Sequence, residues 1–284
     1  MTDKIIALVD GSTYSKSVCD HAAWASARTG AAVELLHVLG RRDQPDNADL
    51  SGAIALGART ALLEQLAAVD EQRAKLLKQR GRAILDDATE ILKGDGVADV
   101  RAMLRHGDLL EAVALQEADA AMIVIGKRGE AADAAALHLG SNVERIARAS
   151  HKPVLVASRA FKPISKLLIA WDGGLSSMRS IDHVARTRTY AGLEVHVVTV
   201  GQSSAETENG LAMARAMLAS AGFDAHTSVI GGQPEKALAR MVTDANFGIV
   251  VMGAYGHSRI RSLVIGSTTT EMIRSCRVPI VLVR

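Results

Sequence analysis

Lys4-Ile-Ile-Ala-Leu-Val-Asp10-Gly11 is answered further along the chain by Lys166-Leu-Leu-Ile-Ala-Trp-Asp172-Gly173. One constant, ungapped offset relates the two stretches. It also carries Asp20-His21 onto Asp182-His183, Gly30 onto Gly192 and Val38 onto Val200. Later, Met122-Ile-Val-Ile-Gly126 matches Ile249-Val-Val-Met-Gly253, and each copy closes on a proline and a short apolar run, Pro153-Val-Leu-Val and Pro279-Ile-Val-Leu-Val. Strand-length runs that are apolar throughout, alternating with helical patterns, imply a parallel sheet covered on both faces. The chain is therefore expected to be α/β, with two tandem, open, mostly parallel five-stranded sheets flanked by helices. Each copy sets a glycine-rich turn after a buried strand, where α/β proteins hold phosphate.

The bulk composition narrows the function. A length of 284 residues agrees with two units of roughly 150 residues each. The boundary is expected in Ser158-Arg-Ala-Phe-Lys-Pro163, giving units 1–160 and 161–284. A net charge of +2 from 33 basic and 31 acidic residues provides no global field for nucleic acid or an anionic membrane. Aromatic residues at 3% disfavour base-stacking platforms. Cys19 and Cys276 form no CxxC, so a reducing, cytoplasmic setting without a disulfide or zinc ribbon is expected. The start lacks a secretory apolar stretch, and no apolar run is long enough to span a membrane.

In the first copy, strands are expected over 5–9, 33–39, 100–104 and 120–125, with helices over 14–29 and 109–117. In the second, strands are expected over 167–170, 194–200, 225–229, 248–252 and 278–283, with helices over 177–191, 211–221, 235–243 and 269–276. The first copy is longer, mainly through an insert at about 41–80. Residues 58–92 carry apolar side chains at helical spacing, which predicts a long amphipathic helix with a potential break at Gly81. That helix could cover its own unit or offer a surface to a partner, and the sequence leaves both open.

The chemistry concentrates in the second copy. Gly253-Ala-Tyr-Gly256 is followed by nine residues and then Gly266-Ser267-Thr268, which opens a helix. The glycines let backbone approach a ligand, while free amides and two hydroxyls at a helix start suit an anion. The intervening loop adds His257, Arg259 and Arg261 and no acid, which favours a di- or triphosphate. G-x2-G-x9-G-S/T after a buried strand, with Asp172 ending the first strand, resembles the nucleotide-binding motif of the universal stress protein family. The whole chain is similar to the tandem form, except in the insert.

The resemblance implies an adenine nucleotide alpha hydrolase-like, Rossmann-like fold. It also implies closing strands that pair between the two copies about a pseudo-two-fold axis, with a homodimer as a further option. It implies that Asp172 and Val200 hold adenine and ribose, that Gly253, Gly256 and His257 flank ribose and phosphates, and that Gly266, Ser267 and Thr268 bind phosphate. The implied ligand is ATP or a related adenine nucleotide, with Mg²⁺ able to accompany the triphosphate. The implied role is regulatory, exercised through a protein partner that the sequence does not name. Asp172 could instead be only a helix-capping residue.

The first copy departs from this pattern. Gly126-Lys-Arg-Gly129 is followed by ten residues before Gly140-Ser141-Asn142, and that loop carries Glu130 and Asp133. Carboxylates near a phosphate weaken its binding in a low-dielectric cleft. Asp10, Val38, Gly126, Gly129, Gly140 and Ser141 are therefore expected to form a weakened, altered or vacant site.

No HExxH, G-x-S-x-G or GxxxxGK[ST] occurs, so a zinc protease, a serine hydrolase elbow and a Walker ATPase are not indicated. No catalytic residue or metal ligand is assigned. The alternatives are slow ATP hydrolysis or adenylyl transfer involving His257, and a scaffold that binds another small ligand in the first copy. His21, His37 and His183 are expected to be packing residues. Trp24 is expected in the core, and Trp171 at a strand end beside the cleft.

Overall fold

The structure, a computed structural model, describes residues 4–40, 56–129, 141–254 and 266–284. Its strands are β1 (Lys4–Leu8), β2 (Ala32–Leu39), β3 (Val100–His106), β4 (Ala120–Gly126), β5 (Val154–Ala157), β6 (Lys166–Ala170), β7 (Glu194–Val200), β8 (Ala225–Ile230), β9 (Ile249–Gly253) and β10 (Ile280–Val283). Its helices are α1 (Ser15–Thr29), α2 (Leu56–Gly94), α3 (Leu109–Ala114), α4 (Ser141–Ala149), α5 (Leu175–Arg186), α6 (Ala205–Ser220), α7 (Pro234–Asp244) and α8 (Ser267–Ser275).

The strands form one ten-stranded sheet in the order β3-β2-β1-β4-β5-β10-β9-β6-β7-β8. Read from either edge, this is the same five-strand order. Every neighbouring pair is parallel except β5–β10, which is antiparallel with Val281 opposite Leu155. Antiparallel pairing of equivalent strands is what a local two-fold relation demands, and it joins the two expected sheets edge to edge. The apolar β5 and β10 would otherwise expose unpaired backbone groups, so the seam removes two sheet edges.

Both faces of the sheet carry apolar layers that continue across the seam. One contains Ile5, Val124, Leu155, Leu167, Val251 and Val281, all essentially inaccessible to solvent. The other contains Ile6, Ile123, Val156, Leu168, Val250 and Ile280. Odd and even positions of each strand therefore feed different layers, as period-two alternation requires.

Polar ties reinforce the joint. Lys127 Nζ donates to the carbonyls of Arg274 (2.8 Å) and Cys276 (3.1 Å) at the end of α8. Arg284 donates to the Arg148 carbonyl (2.8 Å) at the end of α4. A cation at a helix carboxyl end meets free carbonyls and the negative end of the dipole. Arg28 donates to the carbonyls of Thr189 and Ala191, and Trp24, partly buried, packs between Arg28 and Tyr190.

The long helix α2 runs through Gly81 without a break. A Cβ there would stand 2.8 Å from Leu104 Cδ1 and 3.0 Å from His37 Cδ2, so the glycine serves close packing against β2 and β3. Beyond it, Leu85, Ala88 and Leu92 enter the core. Earlier in α2, Leu62, Leu66, Val69 and Leu76 are exposed. The helix thus covers its own copy with its carboxyl-terminal part. Other differences are local: α6 begins at Ala205, where Ser204 Oγ accepts from Thr207 N–H, and a 3₁₀ turn at Arg188–Tyr190 follows α5. No helix among the described residues is long and apolar enough to cross a membrane.

Candidate functional site

The carboxyl ends of β6, β7 and β9 and the start of α8 enclose a cavity of about 370 Å³. Asp172, Val200, Gly253, Gly266, Ser267 and Thr268, all named from sequence, line it together. Gly256 and His257 lie outside the described residues, as do Arg259 and Arg261.

One wall is apolar. Val198 and Val200 come from β7, Met252 from β9 and Leu238 from α7. Trp171 is only 5% exposed, and the edge of its indole lies 3.5 Å from where a Cβ on Gly210 of α6 would stand. Trp171 thus packs against α6 in the apolar layer on the other side of the sheet from Val198, Met252 and Leu238, and borders the cavity where β6 ends.

The part of the lining at the start of α8 is polar. Gly266 is the N-cap of α8, no side chain caps the helix, and its first turn holds no acid. The first intrahelical bond runs from Thr270 N–H to the Gly266 carbonyl at 2.9 Å. The amides of Ser267, Thr268 and Thr269 precede it and point out of the helix start. Thr269 Oγ1 donates to the Gly253 carbonyl at 3.3 Å and fixes the helix start against the end of β9.

The strand-end aspartates hold their own turns. Asp172 Oδ1 accepts from Gly174 N–H at 2.9 Å, and Asp10 Oδ1 from Ser12 N–H at 3.0 Å. Gly173 and Gly11 follow them with φ of +76° and +77°, a region that favours glycine. Asp172 thus holds the turn ahead of α5, whose N-cap is Gly174 with no side-chain cap, and also lines the cavity. Gly253 has a structural reason as well: a Cβ there would stand 2.5 Å from Ser176 Cβ.

The first copy is built differently at the matching place. Tyr14, 7% exposed, occupies the position of Ser176, and a Cβ on Gly126 would stand 2.7 Å from Tyr14 Cβ. Gly129 lies against Asp10, with 2.8 Å from a would-be Cβ to Oδ2. Ile84 of α2 stands 2.8 Å from where a Cβ on Gly11 would be. Lys127, between Gly126 and Arg128, reaches the end of α8. Val38 is the last but one residue of β2 and is partly buried. Ser141 opens α4, while Gly140 and the acids Glu130 and Asp133 lie outside the described residues.

The histidines named from sequence are packed. His21 Nδ1 lies 2.6 Å from the Ser17 carbonyl and its ring meets Phe161 edge-on, while His37 Nδ1 lies 2.7 Å from the Val9 carbonyl. Burial lowers the pKa of His21. Burial also lowers that of His183 to about 4, against a raising effect of Asp182, and its Nε2 lies 3.1 Å from the Tyr190 hydroxyl. Cys19 and Cys276 are free and buried; burial pushes the Cys19 thiol up to about 12 and also raises Cys276.

A doubly wound sheet with a cavity at its strand carboxyl ends, lined by apolar side chains and by a helix start, defines an α/β protein with a cleft at the place where such sheets commonly hold small ligands. The sequence model of the Universal stress protein family matches residues 1–158 and 183–284, and the chain belongs to that family. It is 36% identical to Universal stress protein Slr1230 of Synechocystis over 284 residues, 99% of each chain. Its fold is similar to a crystal structure of a universal stress protein from Archaeoglobus fulgidus (TM-score 0.75, 17% identity, 100% of this chain and 99% of that one). It is also similar to a putative universal stress protein from Pseudomonas aeruginosa (TM-score 0.62, 17% identity, 99% and 93%).

Proposed function

We propose that this protein binds an adenine nucleotide, ATP foremost, in the cavity between β6, β7, β9 and α8, and reports its occupancy to a protein partner as a regulatory stress signal. The observation that carries this reading is the convergence of Asp172, Val200, Gly253, Gly266, Ser267 and Thr268 on one cavity lined by apolar side chains and by the polar start of α8. A purine suits the wall of Val198, Val200, Met252 and Leu238; a phosphate chain suits the amides opening α8. Gly256, His257, Arg259 and Arg261 would complete the phosphate side. Mg²⁺ would travel with the triphosphate, held mainly by phosphate oxygens and water.

In this reading residues 1–160 and 161–284 are two units with unequal clefts. Tyr14 in place of Ser176, and Ile84 pressed against Gly11, support a first cleft that is weaker or altered. Two buried, free thiols favour a reducing, cytoplasmic setting. The protein acts by binding, and any hydrolysis is slow and would need His257 to activate water.

Calorimetry on nucleotide-free protein tests this. Adenosine, AMP, ADP and ATP should bind one per chain, with affinity rising with phosphate number, and Val200→Trp should abolish the heat. Absence of heat with every adenylate, or affinity independent of phosphate number, overturns the assignment. ATP turnover that His257→Ala abolishes under controlled metal would move the protein to the enzyme reading.

A further inference from the structure

At the far edge of the sheet, two strands place three metal-ligating side chains on one face. His196 of β7 stands in register with His226 of the edge strand β8. Glu194 precedes His196 by two residues and so shares its face. One ligating atom from each of Glu194, His196 and His226 lies within 4.8 Å of the other two. His196 Nε2 is 2.6 Å from Glu194 Oε1, and the two imidazole centroids are 4.9 Å apart. Phe247 meets His196 edge-on at 5.0 Å and limits where that ring can turn. Lys166 Nζ is 3.3 Å from the second carboxylate oxygen, Glu194 Oε2.

The internal repeat supplies a comparison. The positions matching Glu194 and His196 are Ala32 and Glu34, and Glu34 stands in register with Arg101. There Lys4 pairs with Glu34 at 3.2 Å, so the first copy fills this place with an ordinary ion pair. The second copy replaces that arrangement with two imidazoles and a carboxylate converging from neighbouring strands.

We propose that Glu194, His196 and His226 form a site for a borderline divalent transition-metal ion, zinc foremost, that clips the edge strand β8 to β7. Two nitrogen donors and one carboxylate suit zinc, cobalt or nickel and disfavour magnesium and calcium, which take oxygen ligands. Bonds of about 2.0–2.1 Å set tetrahedral ligands roughly 3.3 Å apart. Glu194 and His226 are exposed and have room to rotate to that spacing, while His196 is held. The ion would replace the proton between His196 Nε2 and Glu194 Oε1. Lys166 would keep Oε2 and orient the carboxylate, and water would take the fourth position. Glu194 begins β7, whereas Val198 and Val200 at its other end line the cavity, so the two sites are separate.

The test uses the full, tag-free, metal-stripped chain. Zn²⁺ is titrated by calorimetry, Co²⁺ is followed by its visible d–d bands, and melting is recorded with and without Zn²⁺. One ion per chain, a cobalt spectrum of tetrahedral intensity and a higher melting temperature with zinc are expected. His226→Gln and Glu194→Gln should each weaken zinc binding at least about tenfold and abolish the tetrahedral spectrum. Their metal-free melting should stay near that of the parent, because both side chains are exposed. Adenylate binding by these variants should match the parent, so failure of this site and failure of the nucleotide reading are distinguishable. No saturable zinc binding, or binding unchanged by His226→Gln, overturns the proposal.

Discussion

Placing a carboxylate in the first turn of α8 should move stability and ligand affinity in opposite directions. The perturbation is Thr268→Asp, with Thr268→Asn as a control of nearly equal size. The first turn of α8 has neither an acid nor a side-chain cap. Without ligand, the new carboxylate meets the positive end of the helix dipole and should stabilise the fold by about 0.3–1 kcal/mol. With a polyphosphate against the same amides, two negative charges stand about 5 Å apart. At an effective dielectric of about 20 this costs about 3 kcal/mol, roughly a 200-fold loss of affinity. Urea unfolding without nucleotide reads the first effect, and ATP calorimetry at fixed salt reads the second. ATP binding that survives Thr268→Asp within a few-fold refutes the placement of phosphate at α8. Equal losses from the Asn control would refute the electrostatic account, and net destabilisation of the ligand-free protein would refute an open helix start.

Three further outcomes are expected. Protonating His183 opposes folding, because its folded pKa of about 4 lies below an unfolded value near 6.5. Its contribution is complete above about pH 6.5 and is lost as pH falls through about 4, up to about 3 kcal/mol. Urea unfolding at several pH values should show His183→Gln flattening that slope. Leu155→Ala opens a cavity at the fully buried β5–β10 seam and should cost about 2–5 kcal/mol. Fluorescence of single-tryptophan versions retaining Trp24 or Trp171 should still report coincident unfolding of the two copies. Cys19 and Cys276 should resist thiol reagents in the native protein and react fully after unfolding, as mass spectrometry of alkylated protein would show.

The sequence carried the sheet because its strands are apolar on both faces and occur twice, and local propensity seldom overrides that signal. The cavity was legible for the same reason: glycines after strands and Gly266-Ser-Thr at a helix start have fixed meanings in this fold. What escaped depended on neighbours distant in the chain. Gly81 looked like a helix breaker until Leu104 and His37 were seen against it. The early start of α6 lay in Ser204, a cap that precedes the apolar residues by a turn or more. The Glu194-x-His196 pair carries no helical metal-ligand spacing, and His226 joins it only through the β7–β8 register. The first-copy cleft was expected to suffer from loop acids, which lie outside the described residues; the described differences there, at Tyr14 and Ile84, are steric and were not legible in the sequence.

Antiparallel pairing of β5 with β10 is the joint that two separate, identical copies would make across a symmetry axis. Such a homodimer inherits every substitution in pairs, so each innovation must be tolerated at both places. Covalent fusion lifts that constraint. Tyr14 can stand in one half where Ser176 stands in the other, and His226 can arise opposite His196 without a counterpart beyond the seam. The linked molecule is free to divide labour between halves that began alike.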